Sequence, residues 1–315
     1  MYYIGIDLGG TNIAAGVVDE NNRLLFSESV PTGLPRPAEE IACAIHSLAA
    51  KMLKEHEMSL QDILGIGIGI PGSVNKETGI IEYANNFGFT NVPFLDMLKQ
   101  YFTVPVYVEN DGNTAAWGEY IAGAGTGSSS MVAVTLGTGV GGGIILDGKI
   151  FNGYNNAAGE IGHTVIRRGG RLCTCGRCGC LEAYASATAL TARAAEAAAA
   201  APDSLLNRCG LDGGKISGKM FFEAVQLGDK TALAVFEEFI FDLAEGIANF
   251  VNILQPEIVC VGGGLSGAGD LLLKPLAEKV MPLLYTRDSE KNMKLVLAQL
   301  GNDAGIIGAA GLHLL

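Results

Sequence analysis

The sequence has 315 residues, of which 49% are hydrophobic and 17% are charged, a composition that can bury a large core and argues against disorder. Its formal net charge is −12, from 33 acidic and 21 basic residues, which disfavours nucleic acid or an anionic membrane as the main partner. The length suits two domains. The chain opens on a predicted strand, with no signal peptide and no run of 18 apolar residues, so we expect a cytoplasmic protein.

The first 124 residues predict a meander and then strands alternating with helices. Apolar residues at helical spacing indicate one long early helix, and short apolar runs between turn signals indicate strands. The Asn- and Gly-rich segment 82–93 predicts a loop. The predicted strands are 2–7, 13–18, 24–30, 63–70 and 104–109, and the predicted helices are 37–57 and 114–124.

Residues 5–19 and 133–147 form an internal repeat with an offset of 128 residues. Each copy reads as a strand, a glycine turn, a second strand and another turn. The repeat and the flexible stretch GAGTGSSS at 123–130 predict two related α/β domains. Their expected limits are 1–122 plus 301–315 for the smaller N-terminal domain and 123–300 for the larger C-terminal domain.

The remainder of the chain is predicted to be mostly helical. The long run from Ala232 ends at Gln255-Pro256, which is a helix stop signal. The predicted helices are 183–200, 232–254, 270–284 and 303–315, and the predicted strands are 257–261 and 294–297.

Three glycine turns follow predicted strands, and their backbone N–H groups could hold phosphate oxygens. None is a P-loop, and the first turn leads into a strand, unlike a dinucleotide-binding turn that opens a helix. Because two of the turns belong to the repeat, we expect them to close on ATP from two sides. The candidate residues are Gly9, Gly10 and Thr11, then Gly137, Thr138 and Gly139, then Gly263 and Gly264.

Two acidic residues lie at predicted strand ends. Asp7 is a candidate for holding the hydrated Mg²⁺ that accompanies ATP, and the alternative is an Asp that accepts hydrogen bonds from the turn. Asp111 is a candidate for taking a proton from an attacking hydroxyl as the γ-phosphoryl group moves. The alternative for Asp111 is a helix N-cap, a role that Asn113 or Thr114 could take instead.

Residues 159–182 contain two glutamates, one histidine and four cysteines. His163 with three of the cysteines would make a closed Zn²⁺ site, and the alternatives are a Cys₄ site or thiols without metal. Glu160 and Glu182 bracket the cysteine loop, and their oxygens could accept hydrogen bonds from a polyol. The alternative is that the two glutamates are solvated loop charges.

The motifs resemble those of the ROK family, which groups sugar kinases with sugar-sensing repressors, and within it the bacterial ATP-dependent glucokinases. The resemblance covers essentially the whole chain and implies the actin-like, ribonuclease-H-like ATPase fold, with two α/β domains around a central cleft. It rests on DLGGTN (7–12), GIGIPG (67–72), ENDGN (109–113), LGTGVGGG (136–143), GEIGH (159–163), CTCGRCGCLE (173–182) and VCVGGGLS (259–266).

The resemblance also implies roles for single residues. Asp111 matches the catalytic base. Asn12 stands where many family members carry Lys, so only a backbone role is implied for it. The residues that match sugar ligands are Asn110, Asp111, Glu160, His163 and Glu182, with Gly72 and Asn85 more weakly. The residues that match zinc ligands are His163, Cys173, Cys175 and Cys180, with Cys178 left over.

The implied function is ATP-dependent phosphorylation of a hexose, glucose to glucose 6-phosphate in the first place, by a homodimer or homotetramer. Kinases for fructose, mannose, allose, N-acetylglucosamine or N-acetylmannosamine are the alternatives. A sugar-sensing relative of the repressors that does not bind DNA is another. A DNA-binding repressor is disfavoured, because it would need a winged-helix domain where only Met1 to Tyr3 precede Ile4, and because the chain is acidic.

Overall fold

The structure, a computed structural model, describes residues 1–210 and 215–315. The chain divides into two compact units, and each unit has its own hydrophobic core. No helix in the described ranges combines the length and the apolar composition needed to cross a bilayer. Unit 1 comprises Met1–Met131, Gly143–Gly159 and Gln299–Leu315, and unit 2 comprises Val132–Gly142 and Glu160–Ala298.

Eleven regular elements precede the second copy of the repeat. They are β1 (Tyr2–Leu8), β2 (Asn12–Asp19), β3 (Leu24–Pro31), α1 (Ala38–Glu55), β4 (Ile63–Ile70), β5 (Ser73–Asn75), β6 (Ile80–Ala84), β7 (Phe89–Val92), α2 (Phe94–Leu98), β8 (Val106–Asn110) and α3 (Asp111–Ala122).

The second copy of the repeat opens the remainder of the chain. The elements described there are β9 (Met131–Leu136), β10 (Val140–Leu146), β11 (Lys149–Ile150), α4 (Glu182–Ala185), α5 (Ala187–Ala199), α6 (Gly218–Gln226), α7 (Lys230–Leu254), β12 (Ile258–Gly262), α8 (Asp270–Val280), β13 (Lys294–Leu297) and α9 (Ala304–Ala310).

Two five-stranded sheets have the same strand order, and each contains one copy of the repeat. The first sheet has the order β3-β2-β1-β4-β8, and the second has β11-β10-β9-β12-β13. In the first sheet β1, β2 and β3 form an antiparallel meander, and β4 and β8 run parallel to β1. This duplicated order belongs to the actin-like fold, and the fold class expected from the sequence is confirmed.

The prediction of a loop at 82–93 is wrong in part. The strands β6 and β7 lie there and pair antiparallel in a third sheet of order β5-β6-β7. Phe87 and Phe89 are buried in the core of unit 1. Between them the chain turns at Gly88, which has a φ of 66°.

The predicted helix at 183–200 is two helices. Ser186 has an extended backbone and separates α4 from α5, and its hydroxyl oxygen caps α5 by accepting from the Ala189 N–H at 3.0 Å. Side-chain capping of this kind competes with helix continuation, which alanine-rich composition alone does not reveal.

The C-terminal helix α9 packs closely against β1, β4 and α3 through glycines. A Cβ atom at Gly67 of β4 would overlap the carbonyl oxygen of Ala309, and one at Gly308 would overlap the carbonyl oxygen of Thr114. Backbone therefore lies directly on backbone here, and any side chain would separate the last helix from the sheet that carries Asp7.

Replacing Gly67 by Ala should lower the free energy of unfolding by about 3 kcal/mol or more, because rigid backbone atoms cannot move away from the new methyl group. Gly267→Ala is the matched control, since a Cβ there meets nothing within 4 Å. Urea unfolding of both variants measures the difference. Equal unfolding midpoints for the two variants would contradict the close packing of α9.

Candidate active site

The carboxyl ends of β1, β4 and β8 meet at one edge of the first sheet, because the three strands run parallel. The register places Asp7 beside Gly69 and Ile70 beside Asn110. The sequence placed Asp7 and Asp111 at the ends of predicted strands, and the pairing of β1, β4 and β8 brings those strand ends to one edge.

The N-cap of α3 is Asn110, and not one of the residues considered for that role from the sequence. Its Oδ1 accepts from the Asn113 N–H at 3.1 Å, while its Nδ2 donates to the Gly72 carbonyl oxygen and to Asp111 Oδ1, both at 3.0 Å. Asp111 Oδ1 also accepts from the Gly112 N–H at 2.8 Å. Asn110 therefore caps the helix, and Asp111 is the first helical residue and does not act as the cap.

Burial weakens the acidity of both acids at this edge. Loss of water raises the pKa of Asp111, although the Gly112 N–H and the Asn110 amide oppose the shift. Burial, and then the negative charge of Asp111, raise the pKa of Asp7 to about 6. Two buried carboxyl groups, one of them also disfavoured by the charge of the other, are a suitable place for a cation or for proton transfer.

Gly72 and Asn85 belong to the loops above this edge. Gly72 has a φ of 95°, and a Cβ there would overlap the Tyr83 carbonyl oxygen. Asn85 begins a short 3₁₀ helix, and its Oδ1 accepts from the Tyr83 hydroxyl at 3.0 Å. Both residues therefore lie in unit 1 with Asn110 and Asp111.

The two repeated glycine turns are closed in the same way. The Gly9 N–H donates to the Asn12 carbonyl oxygen at 2.9 Å, and the Gly137 N–H donates to that of Gly139 at 3.0 Å. The first glycine of each turn is thus engaged within the turn. Within these two turns, the backbone N–H groups of Gly10, Thr11, Thr138 and Gly139 donate to no acceptor among the described residues.

The second and third glycine turns lie against each other in unit 2. Gly263 has a φ of 82°, and a Cβ there would lie 2.6 Å from the Leu136 nitrogen and oxygen. The N-terminus of α5 holds the second turn, because the Ala187 N–H donates to the Gly137 carbonyl oxygen at 2.8 Å. Gly264 opens onto space, since a Cβ there meets nothing within 4 Å.

Four donor atoms of the cysteine loop form one compact group. One atom each from His163, Cys173, Cys175 and Cys180 lies within 4.8 Å of the others, and Cys178 is outside the group. The Cys175 and Cys180 sulfurs are 3.7 Å apart, and the Cys173 sulfur is 3.6 Å from His163 Nδ1. Thiolates bound tetrahedrally at about 2.3 Å from Zn²⁺ lie about 3.8 Å apart, so the donor set fits such an ion.

His163 points its two ring nitrogens at different partners. Nδ1 faces the Cys173 sulfur, and Nε2 lies 3.8 Å from a carboxylate oxygen of Glu160. The Glu160 side chain is 67% exposed, so it is free to contact a ligand. A metal ion at Nδ1 would fix the ring and leave Nε2 for another hydrogen bond.

Glu182 is held by two donors that the sequence did not single out. The Thr174 hydroxyl donates to one of its oxygens at 2.9 Å, and the Val140 N–H donates to the other at 3.1 Å. Thr174 lies between two of the clustered cysteines, and that position was the signal that could have identified it. The cysteine loop therefore positions Glu182 directly.

The cysteine loop is also fixed to the long helix α7. Arg167 Nε and Nη2 donate to the same Asp242 oxygen at 2.9 and 2.6 Å, and Arg193 donates to the other at 2.9 Å. Asp242 is 1% exposed, so this charge is buried and fully paired.

The profile that describes the ROK family matches residues 3–314. The chain belongs to the ROK family. A glucokinase of Halalkalibacterium halodurans is 40% identical over 99% of this chain and 94% of its own length. A glucokinase of Streptomyces coelicolor is 38% identical over 98% of this chain and 96% of its own.

Solved structures agree with the family assignment. A ROK family glucokinase from Streptomyces griseus, in complex with glucose and AMPPNP, superimposes with a TM-score of 0.83 at 39% identity, over 99% of both chains. The family also contains regulators: a xylose repressor of Caldicellulosiruptor bescii is 32% identical over 97% of this chain and 76% of its own length.

The raised pKa of Asp7 predicts how the stability of this ROK chain depends on pH. Between pH 3.8 and about 6 the unfolded chain loses the Asp7 proton and the folded chain keeps it, so stability falls as pH rises through this window. Asp7→Asn should therefore stabilise the protein at pH 7.5, by up to about 3 kcal/mol before solvent screening, and the gain should shrink towards pH 4.

The measurement is urea unfolding from pH 4 to 8 without Mg²⁺ or ATP. Asp288→Asn, at an exposed side chain, is the control and should change stability equally at all these pH values. A stability loss in Asp7→Asn at pH 7.5 would show that burial does not disfavour the charge of the Asp7 carboxylate.

Proposed function

We propose that this chain is an ATP-dependent hexokinase that transfers the γ-phosphoryl group of ATP to O6 of glucose. The support is full-length identity of 38–40% to glucokinases, together with the shielded carboxylate of Asp111 at the edge where β1, β4 and β8 end. Phosphoryl transfer needs positioning and charge stabilisation more than covalent chemistry, and a fixed acid beside a hydrogen-bonded amide suits that need.

Asp111 would accept the proton of the attacking sugar hydroxyl. A carboxylate whose pKa is raised by burial takes a proton more readily than an exposed one. Its Oδ1 is occupied by the Gly112 N–H and the Asn110 amide, so Oδ2 would receive the proton. The further sugar ligands would be Gly72, Asn85, Asn110, Glu160, His163 and Glu182.

ATP would bind through the glycine turns. The N–H groups of Gly10 and Thr11 in unit 1, and of Thr138 and Gly139 in unit 2, are free to donate to phosphate oxygens. Gly263 and Gly264 would give the nucleotide a surface without side chains. Asp7 would hold Mg²⁺, which would offset phosphate charge when bound. The ion would also offset both causes of the raised pKa of Asp7, first burial of its charge and then repulsion from Asp111.

Zinc would be held by His163, Cys173, Cys175 and Cys180. Its part is structural: the loop it closes carries Thr174, and Thr174 fixes the Glu182 carboxylate. The remaining ring nitrogen of His163 would then be oriented for a sugar hydroxyl.

A coupled assay of ADP release over a panel of hexoses tests the function. Glucose should be the best acceptor, and fructose, mannose, allose and the N-acetylated amino sugars are the competing acceptors. Sugar binding without ADP release from any of them would favour a sugar-sensing protein like the repressors of the family.

Asp111→Asn should lower kcat by about 10²–10⁴, with a smaller change in sugar affinity, because the amide keeps the Oδ1 contacts and removes the basicity. Steady-state kinetics and calorimetric sugar binding measure the two effects. Asp96→Asn, at a carboxylate that is 72% exposed, is the control. A kcat within about threefold of wild type would reduce Asp111 to an anchor for a hydroxyl group.

Metal analysis of the purified protein should give about one Zn per chain. Cys175→Ser should lose the metal, because it removes one of the four grouped donors. Cys178→Ser is the matched control, since it removes a thiol that lies between two ligands in the chain but outside the group, and it should keep the metal. Zinc retained equally in both variants would contradict the ligand assignment.

A further inference from the structure

Glu109 is a buried carboxylate that the proposed mechanism does not use. It is 2% exposed, and it directly precedes Asn110 and Asp111. One oxygen accepts from the Asn110 N–H at 2.9 Å and from Asn113 Nδ2 at 3.0 Å, and the other accepts from Asn152 Nδ2 at 2.7 Å. No basic residue of the described chain forms an ion pair with it.

Glu109 is linked to a positively charged side chain through the amide group of Asn152. Asn152 is 6% exposed and follows β11, and its Oδ1 accepts from the Lys76 ammonium group at 2.9 Å. Lys76 lies in the turn between β5 and β6, at an exposed position. The three residues form a relay in which Lys76 donates to Asn152 and Asn152 donates to Glu109.

The direction of this relay is fixed by chemistry. An ammonium group only donates, an ionised carboxylate only accepts, and the amide between them has one end of each kind. Asn152 can therefore satisfy both neighbours in one orientation alone. A flipped amide would face Glu109 with an oxygen and Lys76 with an NH₂ group, and both contacts would be lost inside the protein.

The relay ends on the first turn of α3. Glu109 holds the backbone N–H of Asn110 and the side chain of Asn113. The other end of the Asn113 amide, Oδ1, is buried and has no hydrogen-bond partner among the described residues. Glu109 is thus the polar contact that fixes the Asn113 side chain beside the turn that carries Asp111.

We propose that Glu109 is a positioning residue, which acts with Asn152 and Lys76 to hold Asn110 and Asp111 in the orientation that receives the sugar hydroxyl. This role rests on the proposed kinase function. It makes the exposed Lys76, which is distant from Asp111 in the chain, a determinant of the geometry of the base.

Reversing the relay tests it. In Glu109→Gln the new NH₂ group faces the NH₂ group of Asn152, so Asn152 must turn and then opposes the Lys76 ammonium. In Lys76→Glu an acceptor replaces a donor and the same conflict arises at the other end. The double variant restores both hydrogen bonds with their directions reversed. The new amide at position 109 donates to Asn152 Oδ1, and Asn152 Nδ2 donates to the new carboxylate at position 76.

Each single variant should lower kcat by about 10–10²-fold with a smaller change in KM for ATP, as expected for a displaced catalytic geometry. The double variant should recover to within about threefold of wild type. The control is Glu109→Gln combined with Lys99→Glu, which makes the same charge change at an exposed lysine paired with Asp96 and should recover nothing.

Three results would contradict the positioning role. They are wild-type kcat in Glu109→Gln, wild-type kcat in Lys76→Glu, and a double variant no better than the Lys99 control. If Glu109→Gln does not fold, the Lys76→Glu variant still tests the positioning role, because Lys76 is exposed and its substitution changes no buried side chain. Unfolding measurements on every variant separate loss of stability from loss of turnover.

The relay can also be observed without any activity. Solvent exchange of the Asn152 side-chain amide protons, followed by NMR, should be faster in each single variant and slow again in the double variant. A wild-type protein that phosphorylates no hexose would overturn the kinase function, whereas unchanged amide exchange in the single variants would overturn the relay. The two failures are therefore distinguishable.

Discussion

Unit 1 depends on buried carboxylates that accept hydrogen bonds from N–H groups and that form no ion pair with any described basic residue. Glu109 is one example. Glu119 is another, since it is 4% exposed and accepts from the backbone N–H groups of Ala124, Gln299 and Leu300. Removing such a carboxylate would leave several buried donors unsatisfied, which costs more than the bonds themselves contribute. These acids therefore fix the loops around α3, beside Asp7 and Asp111, for which we propose the chemical roles.

Unit 2 combines a compact local loop with ion pairs to a helix that is distant in the chain. Its cysteine loop closes on itself through one group of thiols and an imidazole, and Arg167 and Arg193 attach the surrounding segments to Asp242 of α7. Glu182, at the end of the loop, is positioned by Thr174, eight residues before it, and by the backbone N–H of Val140, 42 residues before it. A short segment with glycine turns can be organised in this way because few residues must be ordered.

Features that depend on local or periodic sequence signals could be predicted, whereas contacts between distant positions could not. The 5–19 and 133–147 repeat predicts two related domains, and the two sheets have the same strand order. The cysteine spacing predicts a cluster of metal donors, and the resemblance to the ROK family implies which three thiols join His163. Both sequence signals are local or periodic. The relay of Glu109 could not be predicted, since its partners are 43 positions apart and then 76 positions apart. The strands at 82–93 were missed because their pairing, and not their composition, makes them strands.

The proposed function depends on transfer of phosphate from ATP to one hydroxyl of a hexose. The most direct measurement is ³¹P NMR of the products formed by the wild-type protein with glucose, ATP and Mg²⁺. The predicted result is ADP together with a phosphomonoester on O6 of glucose, formed only when the sugar is present. A phosphate on another hydroxyl, or inorganic phosphate released at the same rate without sugar, would contradict it.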